Sequence, residues 1–288
     1  MSTTVKAAIW MIGAILSFSL MAVAGRFVSV THDTFEIMFY RSLVGIVIMA
    51  TVVVGQGRWA DLTWHRWPLH LIRNVAHFTG QNLWFFAITV VPLAQVIAVE
   101  FTMPIWAILL SVVILGERLT RVGAMAAVVG FVGVMIVARP DFSALSPGII
   151  AAAASAIAFA FTAIFTRMLT RTETTVTILI YLTVMQAVFG LICAGYDGQI
   201  TAPTASSWPW LVAIGCSGLM AHFCLTTALS MAPANIVIPI DFARLPLVAV
   251  LGMVIFQEPL DPWVFVGAAL IFGANYANIL SETRKKPI

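Results

Sequence analysis

The chain has 288 residues, of which 61% are hydrophobic and only 9% are charged, with a formal net charge of +3 at pH 7. Soluble domains carry about 25% charged residues. The composition therefore excludes a soluble globular domain and predicts a chain that crosses the membrane several times. The small positive charge does not indicate nucleic-acid binding, because the basic residues lie at the ends of apolar segments. The three cysteines lie inside apolar runs, which predicts neither a disulfide framework nor a metal cluster.

Ten apolar segments are each long enough for a membrane-spanning helix, which needs about 20 residues. The first segment, with Lys6 before it and Ala22-Val23-Ala24 near its end, also resembles a signal peptide. The internal repeat described next favours an uncleaved first helix, since cleavage would leave the two copies unequal. In chain order the segments cover residues 6–26, 34–54, 69–91, 93–115, 121–139, 146–166, 175–195, 208–230, 235–256 and 262–281.

The second half of the chain repeats the first. Pro92–Leu119 aligns with Pro233–Leu260 at an offset of 141 residues, and a local slip raises the offset to 145 around the third and eighth segments. A repeat of this length predicts two structural units, residues 1–140 and residues 141–288, with five spans each. The matched pairs include Phe18 with Phe159, Tyr40 with Tyr181, His77 with His222, Glu100 with Asp241, Phe101 with Phe242 and Glu117 with Glu258.

Five spans per unit is an odd number, so the second unit enters the membrane upside down relative to the first. Lys and Arg concentrate in the loops on the side of the two termini, which predicts that both termini are cytoplasmic. We therefore predict an all-α membrane protein with ten transmembrane helices arranged as two inverted five-helix repeats. Inverted repeats are typical of transporters that bind their solute near the membrane midplane, although some channels also have them.

Two acidic residues lie inside predicted spans, where an ionisable group is costly and usually faces a cavity or a partner. They are the matched residues Glu100 and Asp241, and prolines in both spans free backbone carbonyls nearby. Arg244 follows Asp241 at i+3, so a structural ion pair and a substrate-binding role both remain open for Asp241. Glu100 has no such neighbour, because Met103 stands where the second copy has Arg244, and for it a functional role and a buried structural one also remain open.

The third span presents a polar face. His77, Gln81 and Trp84 are spaced i, i+4 and i+7, which places them on one side of a helix. Such a face offers hydrogen bonds and an aromatic wall, and His222 occupies the matching position in the eighth span. The alternative is that both histidines are satisfied helix-packing residues. We expect Arg73, nearer the end of the span, to extend towards the membrane surface.

Small residues predict where helices approach closely. Gly123, Gly130 and Gly133 in the fifth span and Gly267 and Gly273 in the tenth form faces of this kind. They fit either packing between the two halves or a homodimer.

Three short motifs carry a resemblance to a known family. They are L-G-E-R-L at Leu115–Leu119, Q-E-P-L at Gln257–Leu260 and F-Y-R-S-L-V-G at Phe39–Gly45. With the ten-span plan, they resemble the EamA-type branch of the drug/metabolite transporter superfamily, and within it the YddG-type exporters of aromatic and other amino acids. The resemblance implies a central cavity lined by spans one to four and six to nine, with spans five and ten supporting it. Glu117 and Glu258 match the family's acid at the end of a span, which we interpret as structural.

The predicted function is export of a small metabolite, most simply an amino acid, by a secondary transporter of the bacterial inner membrane. Its partners would be that solute and the membrane lipids; the sequence contains no motif for an enzyme, a nucleotide, a cofactor or a metal. Glu100 or Asp241 would accept an ammonium group, and Arg244, His77 or Gln81 would donate to a carboxylate. One alternative is efflux of lipophilic or cationic drugs, and another is a membrane enzyme or scaffold. The predicted substrate-binding residues are His77, Gln81, Trp84, Glu100, Phe101, Met103, His222, Asp241 and Arg244.

Overall fold

The structure, a computed structural model, describes residues 3–116, 121–138, 146–232 and 237–284. Within these ranges every regular element is helical, so the all-α prediction is confirmed there. Two short 3-10 helices cover Trp59–Asp61 and Ile238–Ala243. The α-helices are α1 (Thr3–Val28), α2 (Thr34–Gly55), α3 (Trp67–Val90), α4 (Leu93–Glu100), α5 (Met103–Leu115), α6 (Arg121–Ala138), α7 (Pro147–Leu169), α8 (Thr175–Ala194), α9 (Trp208–Met231), α10 (Arg244–Phe256) and α11 (Trp263–Arg284).

Six helical segments of the described chain are long and apolar enough to cross a membrane. The chain is therefore a multi-pass membrane protein, while the count of ten spans stays a prediction. Helix α3 has 24 residues, but its buried polar side chains lower its hydropathy. Shorter apolar stretches occur in α6 and α11, at Val128–Val137 and Trp263–Ala274. The six segments are Val5–Val28, Thr34–Gly55, Leu93–Ile114, Pro147–Leu169, Thr175–Ala194 and Trp208–Met231.

The predicted fourth and ninth spans contain interruptions of regular α-helix. Helix α4 ends at Glu100 and α5 begins at Met103, while a 3-10 helix precedes α10. Proline explains both interruptions, because its ring clashes with the carbonyl four residues earlier. Pro104 acts in this way on Glu100, and Pro246 acts on Phe242. The interruptions place the matched acids Glu100 and Asp241 outside regular helix interiors.

The most extensive helix contacts join the first half of the chain to the second. Helix α1 packs against α9, α3 against α7, α2 against α8, α6 against α11, and α4 against α10. When matched helices of the repeat are exchanged, the α1–α9 contact becomes the α7–α3 contact, and the α2–α8 and α6–α11 pairs map onto themselves. Helices α4 and α10 belong to the matched fourth and ninth spans but are not matched segments of them. The packing therefore follows the sequence repeat, although the matched residues Glu117 and Pro233 lie outside the described ranges.

Helices α2 and α8 run in opposite directions. Near the start of α2, the Tyr40 hydroxyl donates to the carbonyl of Thr201 over 2.8 Å, in the loop that follows α8. Near the start of α8, the matched Tyr181 hydroxyl donates to the carbonyl of Thr63 over 2.8 Å, in the loop that follows α2. The start of each helix thus lies beside the end of the other, so these two matched helices are antiparallel.

Helices α6 and α11 cross at two glycines. A Cβ atom on Gly267 would lie 2.6 Å from the Gly133 carbonyl oxygen, and one on Gly133 would lie 2.9 Å from the Gly267 oxygen. Any larger residue at either position would push the helices apart. The packing interpretation is therefore confirmed for this pair. Gly130 and Gly273 have no neighbour within 4 Å in the described structure, so the homodimer prediction depends on them.

Candidate functional site

A cavity of about 90 Å³ lies between the two halves of the chain. Helices α1, α3, α7 and α9 and the interrupted spans at Glu100 and Asp241 form its wall. Among the described residues, α2 and α8 contribute no lining side chain, although the resemblance implied that the second and seventh spans would do so. These two helices border a separate pocket of about 20 Å³ beside Arg41.

The cavity brings the predicted binding residues together. Phe101 is the exception: it lies outside the wall, with its ring centroid 5.3 Å from the Cζ atom of Arg244. The role of these side chains in binding remains a prediction. The eight predicted residues that line the cavity are His77, Gln81, Trp84, Glu100, Met103, His222, Asp241 and Arg244.

At one end of the cavity, Glu100, Asp241 and Arg244 form what we call the acidic cluster. Arg244 Nη2 donates to Glu100 Oε1 over 2.6 Å and to Asp241 Oδ2 over 2.8 Å. Trp84 Nε1 donates to the other Glu100 oxygen over 2.8 Å. The predicted Asp241–Arg244 pair is thus present. Glu100 has no partner within its own helix, as expected, but it has two from other helices: Trp84 on α3 and Arg244 on α10.

Aromatic rings hold the Arg244 guanidinium from two sides. Its Cζ atom lies 5.1 Å from the ring centroid of Phe18 and 5.3 Å from that of Phe101, both within cation–π range. Phe101 in turn meets the matched Phe242 edge to face, with centroids 4.7 Å apart. With both carboxyl groups ionised, the cluster carries one net negative charge in an aromatic setting.

The two histidines meet in the middle of the cavity wall. The ring centroids of His77 and His222 are 4.7 Å apart, with the rings nearly perpendicular. His222 contacts Phe18 at 5.6 Å, and His77 contacts the matched Phe159 at 6.0 Å, so the repeat relates these contacts too. Neither ring nitrogen of His77 has a hydrogen-bond partner in the described structure, and Nε2 of His222 also has none. These nitrogens therefore give no support to the interpretation of both histidines as satisfied packing residues, and their role stays a prediction.

Two buried arginines complete a second group, the basic cluster, made of Arg41, Arg73, His77 and His222. Arg73 is only 1% exposed and lines the cavity, so the expectation that it reaches the membrane surface is wrong. It donates from Nε to Thr166 Oγ1 over 3.2 Å and from Nη1 to Asn74 Oδ1 over 2.9 Å. Sequence reasoning had a signal for it, because Arg73 precedes His77 by four residues and shares the face of α3.

The two clusters are electrically distinct. Asp241 lies within electrostatic reach of Glu100 and Arg244. The two histidines lie within reach of Arg73 and Arg41. Phe18 stands between the clusters, since it contacts Arg244 on one side and His222 on the other. The cavity therefore has an acidic end and a basic end.

Glu258, the acid of the Q-E-P-L motif, lies outside the cavity and joins three helices. Its carboxylate accepts the backbone N–H of Leu93 at the start of α4, over 3.0 Å and 3.2 Å, and pairs with Arg26 near the end of α1. These contacts agree with the structural interpretation of this residue. In the described part of the chain, no set of three His, Cys, Asp or Glu side chains is placed to hold a metal ion.

Known proteins share both the sequence pattern and the fold. A sequence model of the EamA-like transporter family matches the chain twice, at residues 5–139 and 146–279. A riboflavin transporter of Brucella anthropi is 30% identical, covering 83% of this chain and 85% of that protein. An S-adenosylmethionine uptake transporter of Rickettsia bellii is 26% identical, with 96% and 94% covered, and the pseudopaline exporter CntI of Pseudomonas aeruginosa is 28% identical, with 94% of each covered.

One solved crystal structure superposes on 98% of this chain and 99% of its own with a TM-score of 0.74, at 21% identity, which shows that the fold is an established one. The double match to the family model covers nearly the whole chain. The named relatives are transporters, and members of this family are not enzymes. The chain therefore belongs to the EamA-like transporter family of the drug/metabolite transporter superfamily.

Proposed function

We propose that this protein is a secondary transporter that exports a small metabolite of the amino-acid type across the bacterial inner membrane. The observation that carries the proposal is a cavity between the two halves with an acidic end and a basic end. An amino acid has the matching charges, an ammonium group and a carboxylate. The relatives named above carry other metabolites, and both uptake and export occur among them, so the amino-acid assignment depends on the site.

The transport mechanism that we propose is alternating access by two inverted five-helix units, residues 1–140 and residues 141–288, with both termini in the cytoplasm. Three observations support it: the exchange of matched helices in the packing, the antiparallel α2 and α8, and the two consecutive family matches. Two similar halves in opposite orientation can exchange conformations, so outward-open and inward-open states have similar free energies.

The acidic cluster is the proposed site for the ammonium group. Asp241 Oδ1 has no hydrogen-bond partner in the described structure and can accept from the solute. Nη2 of Arg244 already donates to both carboxylates, so we assign Arg244 to the acidic cluster and not to the carboxylate of the solute, a role that the sequence allowed. Its Nε has no partner in the described structure. Because Arg244 links α4 of one half to α10 of the other, an ammonium group that competes with it would loosen a contact between the halves.

The remaining predicted residues would bind or shape the solute. His77, His222 and Gln81 present nitrogen atoms without protein partners, and these would form hydrogen bonds. Trp84 holds Glu100 in place, and Met103 adds an apolar and polarizable wall. Phe101 would act through Arg244, which it contacts within cation–π range.

Efflux of cationic drugs is the second candidate. The net negative charge of the acidic cluster and the Phe18 ring beside it favour a cation. This candidate gives no role to the basic cluster, and for that reason we prefer a solute that carries both charges.

Transport by purified protein tests the proposal. Proteoliposomes loaded with labelled amino acids, with and without an imposed pH gradient, should release at least one of them faster than protein-free liposomes do. The Glu100→Gln variant should lose this release, while a variant of the exposed Arg171, Arg171→Met, should keep it. Release at the control rate for every amino acid, together with rapid transport of cationic dyes, would replace the proposal with drug efflux. Reporter fusions at the two ends would test the cytoplasmic orientation.

A further inference from the structure

Among the described residues, no acidic side chain pairs with the two arginines of the basic cluster. Arg73 is 1% exposed and Arg41 is 6% exposed, so both side chains are buried in the protein. In the described part of the chain neither one pairs with an acidic side chain: Arg73 bonds to Thr166 and Asn74, and Arg41 Nη1 lies 3.6 Å from the sulfur of Met21. Buried cations without a partner are costly. An anion is therefore the group that this end of the cavity is missing.

The same end presents unused hydrogen-bonding nitrogens to the cavity. Nε2 of Gln81, both ring nitrogens of His77 and Nε2 of His222 have no protein partner in the described structure, and all three side chains line the cavity. A neutral imidazole donates from one nitrogen, and a glutamine amide donates two N–H groups. An oxyanion bound beside Arg73 would find these donors within the same wall.

The positive charge of the basic cluster belongs to one half only. At the offset that matches His77 with His222, Arg73 corresponds to Gly218, and at the offset of the rest of the repeat Arg41 corresponds to Leu182. A Cβ atom on Gly218 would lie 3.4 Å from Nη1 of Arg41, so this glycine leaves space for the guanidinium. The packing that the two halves share does not need these charges, because the matched positions of the second half lack them. A ligand that binds in one orientation would need positive charge at one end of the cavity only.

We propose that Arg73 is the anion-binding residue of the cavity and that it takes the carboxylate of the transported solute. His77, one helical turn away, donates a hydrogen bond to the same group. Arg41 adds positive charge from behind the wall, where its Nη1 contacts the cavity-lining Met21. The guanidinium suits this role because its planar fork matches a carboxylate. The inference rests on the proposed function and narrows it: the solute is a zwitterion or an anion, and its carboxylate faces away from the acidic cluster.

Binding of three matched compounds to the purified full-length protein tests this assignment. L-Phenylalanine carries both charges, L-phenylalaninamide lacks the carboxylate, and 3-phenylpropionate lacks the ammonium group. Calorimetry should show that phenylalanine binds the wild type at least tenfold more tightly than its amide. Arg73→Met should reduce this preference to less than twofold, and Arg73→Lys should retain part of it. Arg171→Met, which removes an exposed arginine, should leave it unchanged.

The outcomes separate this inference from the proposed function. If phenylalanine does not bind but 3-phenylpropionate binds in a way that Arg73→Met abolishes, the amino-acid assignment fails and the anion site stands. An equal affinity of the wild type for phenylalanine and its amide would overturn the anion site. The anion site would also be overturned if the Arg73→Met protein, shown to be folded by its melting curve, kept the preference for phenylalanine. Inorganic phosphate is the third arm. Phosphate should compete with phenylalanine for binding. If phosphate binds through Arg73 but does not compete, Arg73 holds a free anion and not the carboxylate of the solute.

Discussion

The buried arginines at the two ends of the cavity differ in their hydrogen-bond partners. At the acidic end, Arg244 bonds to two carboxylates and lies between two aromatic rings. At the basic end, Arg73 bonds to a hydroxyl and an amide, and in the described structure no carboxylate is paired with it. The described residues thus provide a counter-charge for Arg244 and none for Arg73. We therefore expect the first arginine to contribute to the stability of the fold and, in the proposal made above, the second to bind a ligand.

The largest expected effect comes from removing the first arginine. Arg244→Met leaves two carboxylates buried without a cation, and breaking a buried ion pair in this way costs about 3–5 kcal/mol. We expect a large drop in the melting temperature in detergent and loss of transport. Arg73→Met, measured beside it, should be neutral or stabilising, because it removes a buried charge that pairs with no carboxylate in the described structure. An equal drop in melting temperature for the two substitutions would contradict the difference proposed between the two arginines. Adding Glu100→Gln to the Arg244→Met variant should recover part of the lost stability, because it removes one of the two unpaired carboxylates.

A smaller effect is expected at the residue that positions Glu100. Trp84→Phe keeps a ring in the wall but removes the N–H that donates to Glu100 Oε2. Hydrogen bonds to charged groups contribute about 1.5–3 kcal/mol. We expect a loss of stability near the lower end of that range, because Arg244 still holds the carboxylate, and a weaker affinity for solutes with an ammonium group. Phe85→Leu, beside it on α3 and away from the cavity, is the matched control for packing: it should leave the ammonium preference intact.

The matched tyrosines allow the same kind of comparison between the two faces of the membrane. Tyr40→Phe and Tyr181→Phe each remove one hydrogen bond to a loop carbonyl, worth about 0.5–1.5 kcal/mol. Since α2 and α8 are antiparallel, the two bonds lie at opposite ends of this helix pair. We expect the two variants to shift cavity accessibility towards opposite faces, measured with thiol reagents from each side. Shifts towards the same face would contradict the inverted relation of the halves.

The smallest effect is expected at an ion pair outside the cavity. Burial by itself would raise the pKa of Asp61, but hydrogen bonds from Thr174 and Arg58 and the charge of Arg58 lower it below the ordinary value of 3.8. A carboxyl with a lowered folded-state pKa stabilises the fold above its unfolded pKa, and this contribution is lost as the pH falls through the folded value. Melting temperatures should therefore decline below about pH 4, and less steeply in Asp61→Asn. Identical pH profiles for the two proteins would show that the Asp61 contacts contribute nothing.

Much of this arrangement could be predicted from the sequence, because it depends on local pattern. The spacing of His77, Gln81 and Trp84 placed them on one face, and the repeat paired Glu100 with Asp241 and His77 with His222. What could not be predicted depends on contacts between distant segments. Arg244 reaches Glu100 across 144 positions of the chain, and no spacing rule indicates that contact.

Two further features have physical causes of the same kind. The prolines predict freed carbonyls beside the two acids, but they do not predict that α4 ends at Glu100 or that Asp241 lies in a 3-10 helix. Arg73 was assigned to the membrane surface from its place near the end of a predicted span. Its burial follows from Thr166 on α7, a residue that only the folded structure brings beside it.

The most direct test of the account is whether the cavity opens to both faces of the membrane. Thr226 lines the cavity on α9 and is buried, so a Thr226→Cys variant, made after replacing Cys193, Cys216 and Cys224, reports on access to it. A membrane-impermeant thiol reagent should modify this cysteine from the outside in right-side-out vesicles and from the inside in inverted vesicles, and a transported solute should slow both reactions. Modification from one face only under every condition, or from neither face, would contradict alternating access.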